Sequence, residues 1–190
     1  MEYQILPELK SGQEPFLGTD QTILDYWRWA HSDIASNSER GKLAEFIVKT
    51  AVGSIAPFRA EWDAVDIITP DNTRIEVKSS AYLQSWKCKS LSKIQFDIAP
   101  KKSWDSATNT YYGTVGRNSD IYVFCIFATK SPALANLLDL SQWAFYILPT
   151  KTLDQKVPIQ KTITLSSLIK LGAIKSDYQG IASVIKCILS

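Results

Sequence analysis

The feature that most constrains the fold is a nearly continuous apolar run at 120–129, Asp-Ile-Tyr-Val-Phe-Cys-Ile-Phe-Ala-Thr. Most of its residues are β-branched or aromatic, and such residues favour strands. Successive side chains of a strand point to opposite faces, so an unbroken apolar run needs cover on both faces. The run therefore predicts a central strand buried between two layers.

Helical and strand patterns on both sides of this run predict a mixed α/β layout. Apolar residues recur at helical spacing over 21–31 and 36–52, and Ser36 and Glu39 have the spacing of a capping box. Strand patterns occupy 62–69, 74–81, 93–99 and 144–148, and closing helices are expected at 162–171 and 178–189. We predict a single α/β sandwich domain over 1–190, with a mixed central sheet flanked by helices.

Composition excludes several classes of protein. The 190 residues are 45% hydrophobic and 21% charged, as in an ordinary globular domain. No apolar run is long enough to cross a bilayer and the start lacks a secretory profile, so no membrane association is expected. Three widely spaced cysteines argue against a disulfide framework or a zinc cluster and favour a cytoplasmic location. The single histidine, His31, argues against sites that need two imidazoles.

A β-hairpin is predicted at 62–80. Its loop at 70–72, Pro-Asp-Asn, suits a three-residue connection, because proline favours the first position of a type I turn. Asparagine at the third position tolerates the left-handed conformation. The loop makes Thr69 face Thr73, which sets the register of both strands.

This register brings three charged residues to one face. Asp66 faces Glu76, and Lys78 lies two residues along the same face, while the positions between them are apolar. Opposed carboxylates with Cβ atoms roughly 4.5–5.5 Å apart repel each other unless a cation lies between them, so the pattern suits a hard divalent ion. Asp63 lies three residues before Asp66, so strand alternation would point its side chain to the apolar face. The alternative explanation is an ordinary strand with a charged, solvated face.

The segment resembles the PD-(D/E)XK nuclease superfamily, whose pattern is an Asp on one strand, a variable turn and Glu-x-Lys on the next strand. Asp66 and Glu76-Val77-Lys78 match that pattern, with Val65 where the family often replaces its proline. The resemblance covers roughly residues 38–100. It implies a restriction-endonuclease-like fold, as in type II restriction enzymes and archaeal Holliday-junction resolvases, with an irregular lead-in at 1–19, a catalytic core at 38–130, and a C-terminal strand and helices at 131–190.

The resemblance also implies a Mg²⁺-dependent DNA endonuclease that hydrolyses phosphodiester bonds, with Mn²⁺ as a substitute metal. The implied metal ligands are Asp66, Glu76, the backbone carbonyl of Val77, and Glu45 on the helix before the hairpin. Lys78 would orient the attacking water or help to deprotonate it, and would stabilise charge in the transition state. Gln84 would lie near the metal or the scissile phosphate. A solvated side chain is the alternative for Glu45 and for Gln84.

Charge is unevenly distributed along the chain. The net charge is +2, yet residues 74–104 carry 7 basic and 2 acidic side chains, whereas residues 1–73 carry 6 basic and 12 acidic ones. Basic residues that would hold a nucleic-acid backbone without reading its sequence are Lys87, Lys89, Lys101 and Lys102, with Trp86 beside them. A solvated lysine-rich face is the alternative.

Three interpretations of the whole chain remain at this stage. The first is the Mg²⁺-dependent endonuclease, acting on DNA or on RNA. A homodimer would explain double-strand cutting, because each hairpin would cut one strand. The second is a catalytically idle nuclease-fold protein that binds nucleic acid or a protein partner. The third is a structural α/β protein with a charged sheet face.

Overall fold

The secondary structure is taken from a computed structural model that describes residues 8–59, 64–105 and 110–190. Within these ranges the α-helices are α1 (Ile23–His31), α2 (Asn37–Ala51), α3 (Thr150–Lys156), α4 (Leu165–Lys170) and α5 (Ile181–Leu189). The strands are β1 (Ile67–Ile68), β2 (Arg74–Ala81), β3 (Gln95–Asp97), β4 (Lys101–Asp105), β5 (Thr110–Gly116), β6 (Ile121–Phe127), β7 (Trp143–Pro149), β8 (Thr162–Thr164) and β9 (Ile174–Ser176).

The central sheet has five strands in the order β1-β2-β6-β7-β9. Strand β2 pairs with β6 in parallel, and the other neighbours pair antiparallel. Strand β6 lies in the middle, and all seven of its residues are buried. The predictions of a mixed sheet and of a central strand buried on both faces are therefore confirmed.

Two apolar layers cover the two faces of this sheet. On one face, Ile75 and Val77 of β2 and Phe145 of β7 pack with buried residues of α2 and α5. On the other face, Phe124 of β6 and Leu148 of β7 pack with buried residues of β3, β8, α3 and α4. Because both layers are apolar, β6 needs apolar side chains at consecutive positions, which explains the run in the sequence.

Helix α2 begins and ends at residues that the sequence marks. Its N-cap is Ser36, whose hydroxyl accepts a hydrogen bond from the backbone N–H of Glu39. The helix ends at Ala51, two residues before Gly53, which has a φ of 67°. A left-handed residue after a helix is favourable for glycine, so the chain reverses here at little cost.

The hairpin turn at 70–72 forms as predicted. Asn72 has a φ of 63°, and the Thr69 N–H donates to the Thr73 carbonyl at 3.0 Å. Ile67 pairs with Ile75 and Ile68 with Arg74, which is the register that the turn predicts.

Several elements differ from the prediction. Of the strand expected at 62–69, only Ile67–Ile68 form β1. Residues 64–66 form a bend, and residues 62–63, including Asp63, lie outside the described residues. The prediction of a helix at 162–171 is wrong for its first three residues, which form β8 and pair with β3. The β4–β5 hairpin, α3 and β9 were not predicted.

The irregular lead-in at 1–19 is described from residue 8 onward, where Pro15 forms an isolated bridge with Thr22. Across the described ranges, no helix has both the length and the apolar character needed to cross a bilayer.

Candidate catalytic site at the edge of the sheet

Asp66 lies where β1 separates from β2. The ladder ends at the Ile67–Ile75 pair, and the Asp66 carboxylate accepts a hydrogen bond from the Val77 N–H at 2.7 Å. Alternate pairs of an antiparallel ladder exchange hydrogen bonds, and Thr69 with Thr73 is such a pair, so Val77 also presents its N–H to the β1 edge. The carboxylate therefore replaces the missing ladder acceptor and is held at the edge of the sheet.

Acidic groups reach this edge from both faces of the sheet. On the α2 face, Glu45 and Asp66 line one cavity of about 230 Å³. On the opposite face, Glu76 and Lys78 line a smaller cavity of about 50 Å³. Glu76 and Lys78 thus share a face, as predicted. Of these two cavities, Asp66 lines only the one on the α2 face. The ladder ends at the Ile67–Ile75 pair, so the predicted cross-strand pair of Asp66 and Glu76 does not form.

The electrostatic surroundings of Asp66 disfavour its ionised form. Burial and the negative charge of Glu76 raise the pKa of Asp66 to about 7, and the charge of Glu45 adds to the rise. The hydrogen bond from Val77 and the charge of Lys78 oppose it. A carboxylate with a pKa this high is one that a nearby cation would stabilise.

Lys78 forms an ion pair with Glu76, with Nζ 2.5 Å from Oε1. Burial alone would lower the pKa of Lys78, but the charge and hydrogen bond of Glu76, with the charges of Asp66 and Asp97, raise it above its ordinary value of 10.5. Lys78 is therefore an ammonium at neutral pH. It can donate hydrogen bonds and supply positive charge, and it is not poised to accept a proton.

Glu45 is held by Arg59 from the loop after α2. Arg59 Nε lies 2.5 Å from Glu45 Oε2, and Nη2 lies 3.3 Å from Oε1. This two-point ion pair orients Glu45 beside Asp66 and offsets part of the negative charge there.

The donor chemistry of the edge fits a hard divalent ion. Among the residues that the structure describes, no three Asp, Glu, His or Cys side chains are grouped closely enough to hold an ion. Magnesium, however, keeps several waters and needs only one or two carboxylates. Asp66 with Glu45 or Glu76 meets that requirement, and the Val77 carbonyl points to the same edge as the Val77 N–H.

The structure does not bring Gln84 to this edge. Gln84 follows the opposite end of β2, where its Nε2 donates to the Ala81 carbonyl at 3.0 Å. It lines a separate cavity with Arg40 and Phe127. Its proximity to Glu76-Val77-Lys78 in sequence misled the prediction, because an extended strand separates residues by about 3.3 Å each.

The predicted basic residues fall into two groups. Lys87 and Lys89 are exposed in the loop after β2, and Trp86 beside them is 53% exposed, which argues against a core role for that ring. Lys101 and Lys102 are exposed at the start of β4. Lys101 lies 3.3 Å from Asp97 and lines the Glu76–Lys78 cavity, so this second group is next to the candidate site.

Sequence reasoning missed two residues of the site, Asp97 and Arg59. Asp97 ends β3 and lines the cavity of Lys78, and its negative charge contributes to the raised pKa of Lys78. Its only sequence signal is a polar position inside the strand predicted at 93–99. Arg59 lies 14 residues from Glu45, and no local pattern links the two.

Neither protein-family models nor curated proteins match the chain. What the site can do therefore follows from its residues. The site combines a carboxylate whose ionised form is disfavoured, nearby carboxylates and a protonated lysine. These are the group types that suit a divalent cation beside an anionic oxygen.

Proposed function

We propose that the protein is a Mg²⁺-dependent nuclease of the PD-(D/E)XK type that hydrolyses phosphodiester bonds in DNA. The observation that carries the proposal is the meeting of Asp66, Glu45 and the Glu76–Lys78 pair at one sheet edge, with the pKa of Asp66 raised to about 7. The mixed five-stranded sheet with helices is compatible with a restriction-endonuclease-like fold.

In this proposal the metal is held by Asp66, by Glu45 or Glu76, and by the Val77 carbonyl. Mg²⁺, when bound, supplies positive charge at a phosphoryl oxygen and lowers the pKa of water. Mn²⁺ prefers the same oxygen ligands and would substitute.

Lys78 stabilises negative charge rather than removing a proton. It remains an ammonium because its pKa lies above the ordinary value, so it can donate a hydrogen bond to the attacking water or to a phosphate oxygen. Glu76 aims the Lys78 ammonium through their ion pair. The negative surroundings that keep Lys78 protonated are thus part of its role.

The exposed lysines would hold the substrate backbone. Lys101 and Lys102 lie beside the Lys78 cavity, and Lys87 and Lys89 extend the positive surface along the loop after β2. Lysine contacts to phosphate position a nucleic acid without reading its bases. Two chains in a homodimer would place one such edge on each strand of a duplex.

Plasmid cleavage tests this proposal. Purified protein is incubated with supercoiled plasmid in chelator, Mg²⁺ or Mn²⁺, together with Asp66→Asn, Lys78→Met and the control Lys151→Met, whose lysine is exposed on α3. We expect metal-dependent nicking by the wild type and by the control. The rate should fall about 10²-fold or more in the other two variants, because each removes a charge that acts on the transition state.

Cleavage that survives in both Asp66→Asn and Lys78→Met, or that needs no metal, would contradict the proposal. Retention of plasmid in a gel shift without any cleavage would instead identify a nuclease-fold protein that binds nucleic acid without turnover. Thermal unfolding of each variant separates lost chemistry from lost folding.

A further inference from the structure

The cavity on the α2 face of the sheet has an apolar wall that the proposed metal chemistry does not use. Phe46 of α2 and Phe58 of the loop after it line this cavity, and they are 59% and 39% exposed. Ile68 of β1 also lines it and is 53% exposed. Isolated exposed apolar side chains are ordinary on a protein surface, but several around one cavity mark a binding site. This wall lies in the same cavity as Glu45 and Asp66.

Helix α2 adds positive charge to the same cavity. Four of its residues line the cavity at positions i, i+3, i+4 and i+7, which share one face of a helix: Lys42, Glu45, Phe46 and Lys49. At about 1.5 Å of rise per residue, the two lysines are roughly 10 Å apart along the axis, with Phe46 between them. Lys42 pairs with Glu39 at 2.8 Å, whereas Lys49 forms no ion pair within the part of the chain that the structure describes. Cations therefore flank an exposed aromatic ring.

The size and chemistry of this cavity select the class of ligand. Its volume of about 230 Å³ is smaller than the roughly 300–1,000 Å³ of pockets that enclose drug-sized molecules, so it has room for a single ring system. A free phosphate would leave the aromatic wall unused, and a purely apolar group would leave the lysines unused. A nucleotide combines a flat ring with an anionic group, and proteins hold unpaired bases by stacking them on aromatic side chains.

We propose that this cavity binds one unstacked base of a DNA strand against Phe46 and Phe58, while Lys42 and Lys49 contact the flanking phosphates. The inference rests on the proposed function and narrows its substrate to DNA with a single-stranded segment. In a regular duplex both faces of a base are covered by its neighbours, and only the base edges are accessible in the grooves. A base face can reach these rings only after it has left the stack, which costs least in a single strand.

The candidate catalytic groups adjoin the proposed base site. Glu45 directly precedes Phe46 on α2, and Asp66 lines the same cavity. A base held on Phe46 therefore brings a neighbouring phosphodiester toward the edge where the metal is proposed to bind. Stacking is tolerant of sequence because every base has a π face, so we expect selectivity for strand structure and little selectivity for sequence.

Binding by fluorescence anisotropy in chelator tests this inference without relying on cleavage. The probes are a short oligothymidylate, an abasic strand of the same length and a duplex of the same length. Phe46→Ala and Phe58→Ala each remove one ring, Phe46→Trp keeps an aromatic ring, and Lys49→Met removes a cation. Phe16→Ala is the matched control, because Phe16 is 43% exposed and does not line this cavity.

We expect the wild type, Phe46→Trp and Phe16→Ala to bind the oligothymidylate about tenfold more tightly than the abasic strand. Phe46→Ala and Phe58→Ala should lose most of this preference, while their affinities for the abasic strand and the duplex are unchanged because the phosphate contacts remain. Lys49→Met should weaken the binding of both single strands by the same factor. Thermal unfolding confirms that each variant is folded, and two separate ring removals keep the test decisive if one variant fails to fold.

Equal binding of the oligothymidylate and the abasic strand by the wild type would overturn the inference. A preference that survives both ring removals would also overturn it, because the base would then be held elsewhere. Self-association of the wild type that Phe46→Ala abolishes, measured by sedimentation, would identify the apolar wall as a contact between copies of the chain and would overturn the base site.

The outcome for the base site is separable from the outcome for the nuclease. A base preference without metal-dependent cleavage of plasmid would refute the nuclease and keep the base site, whereas cleavage without a base preference would refute only the base site. Binding to none of the probes would overturn the base site, and plasmid cleavage would then decide the nuclease by itself.

Discussion

Replacing Asp66 with asparagine is expected to stabilise the metal-free protein at alkaline pH, although it removes the central acid of the candidate site. Burial, the charge of Glu76 and the charge of Glu45 raise the pKa of Asp66 from 3.8 to about 7. At about 1.4 kcal/mol per unit of pKa, this rise corresponds to roughly 4 kcal/mol of unfavourable free energy in the ionised form. We expect about 1–3 kcal/mol to be recovered, because solvent screens a partly exposed side chain.

The sign follows from proton binding. The unfolded chain releases the Asp66 proton near pH 4, whereas the folded protein holds it to about pH 7. Between these values the folded state binds more protons, so the free energy of unfolding of the wild type falls as the pH rises. The amide introduced by Asp66→Asn has no proton to release, and its oxygen can still accept from the Val77 N–H. The advantage of the variant should therefore grow from pH 5 to pH 8.

Urea unfolding in chelator at pH 5 and pH 8 measures this effect in the wild type, in Asp66→Asn and in Asp33→Asn, a control at an exposed position. The control should show no pH-dependent gain. Addition of Mg²⁺ at pH 8 should stabilise the wild type and not Asp66→Asn, because a cation relieves the same repulsion. A loss of stability in Asp66→Asn at pH 8, or an equal gain at both pH values, would show that burial and the neighbouring negative charges do not destabilise the ionised form of Asp66.

Three further predictions concern the surface, the core and the turn. Changing Lys87 and Lys89 together to alanine should reduce the slope of log affinity against log salt by about 2 in a duplex-binding titration, and an unchanged slope would place the phosphate contacts elsewhere. Phe124→Ala should lower the free energy of unfolding by about 3–5 kcal/mol in urea, since Phe124 is fully buried, and a cost near zero would contradict its central position. Asn72→Gly should leave the free energy of unfolding nearly unchanged, whereas Asn72→Val should lower it by about 1–3 kcal/mol, because only valine is strained at a φ of 63°. Equal urea midpoints for the two variants would contradict this turn conformation.

Much of the fold follows from local patterns. The run at Ile121–Phe127 can be buried only in the middle of a covered sheet, and Ser36 with its helical stripe marks the start of α2. The 70–72 turn sets the hairpin register because asparagine accepts a left-handed conformation there. In each case a short stretch of chain contains the whole physical reason for the structure.

The elements that were not predicted depend on partners distant in sequence. Strand β8 forms because Ile163 is buried against the sheet and pairs with Phe96 of β3, although 162–171 has a helical pattern. Helix α3 buries only Thr150 and Leu153, so its apolar stripe is too sparse to be recognised in the sequence. Strand β9 is three residues long and exists as the partner of β7.

The candidate site shows the same division. Strand alternation places Glu76 and Lys78 on one face, and the structure agrees, because both lie within the regular strand β2. Alternation does not place Asp66, since the ladder ends at Ile67 and the carboxylate bonds to the Val77 N–H instead. Gln84 lies near Lys78 in sequence and lines a different cavity in the fold.

The sequence by itself determined the buried central strand, the capped helix and the hairpin turn, because each depends on side chains within a few residues of one another. Only the tertiary structure decided that Arg59 pairs with Glu45 and that Asp66 lies near the negative charges of Glu76 and Glu45. The same holds for Arg40 and Gln84, which line one cavity. Those relations depend on distances between segments far apart in the chain. Burial and electrostatic interactions depend on distance in space, so these contacts are defined only once the helices and the sheet have packed together.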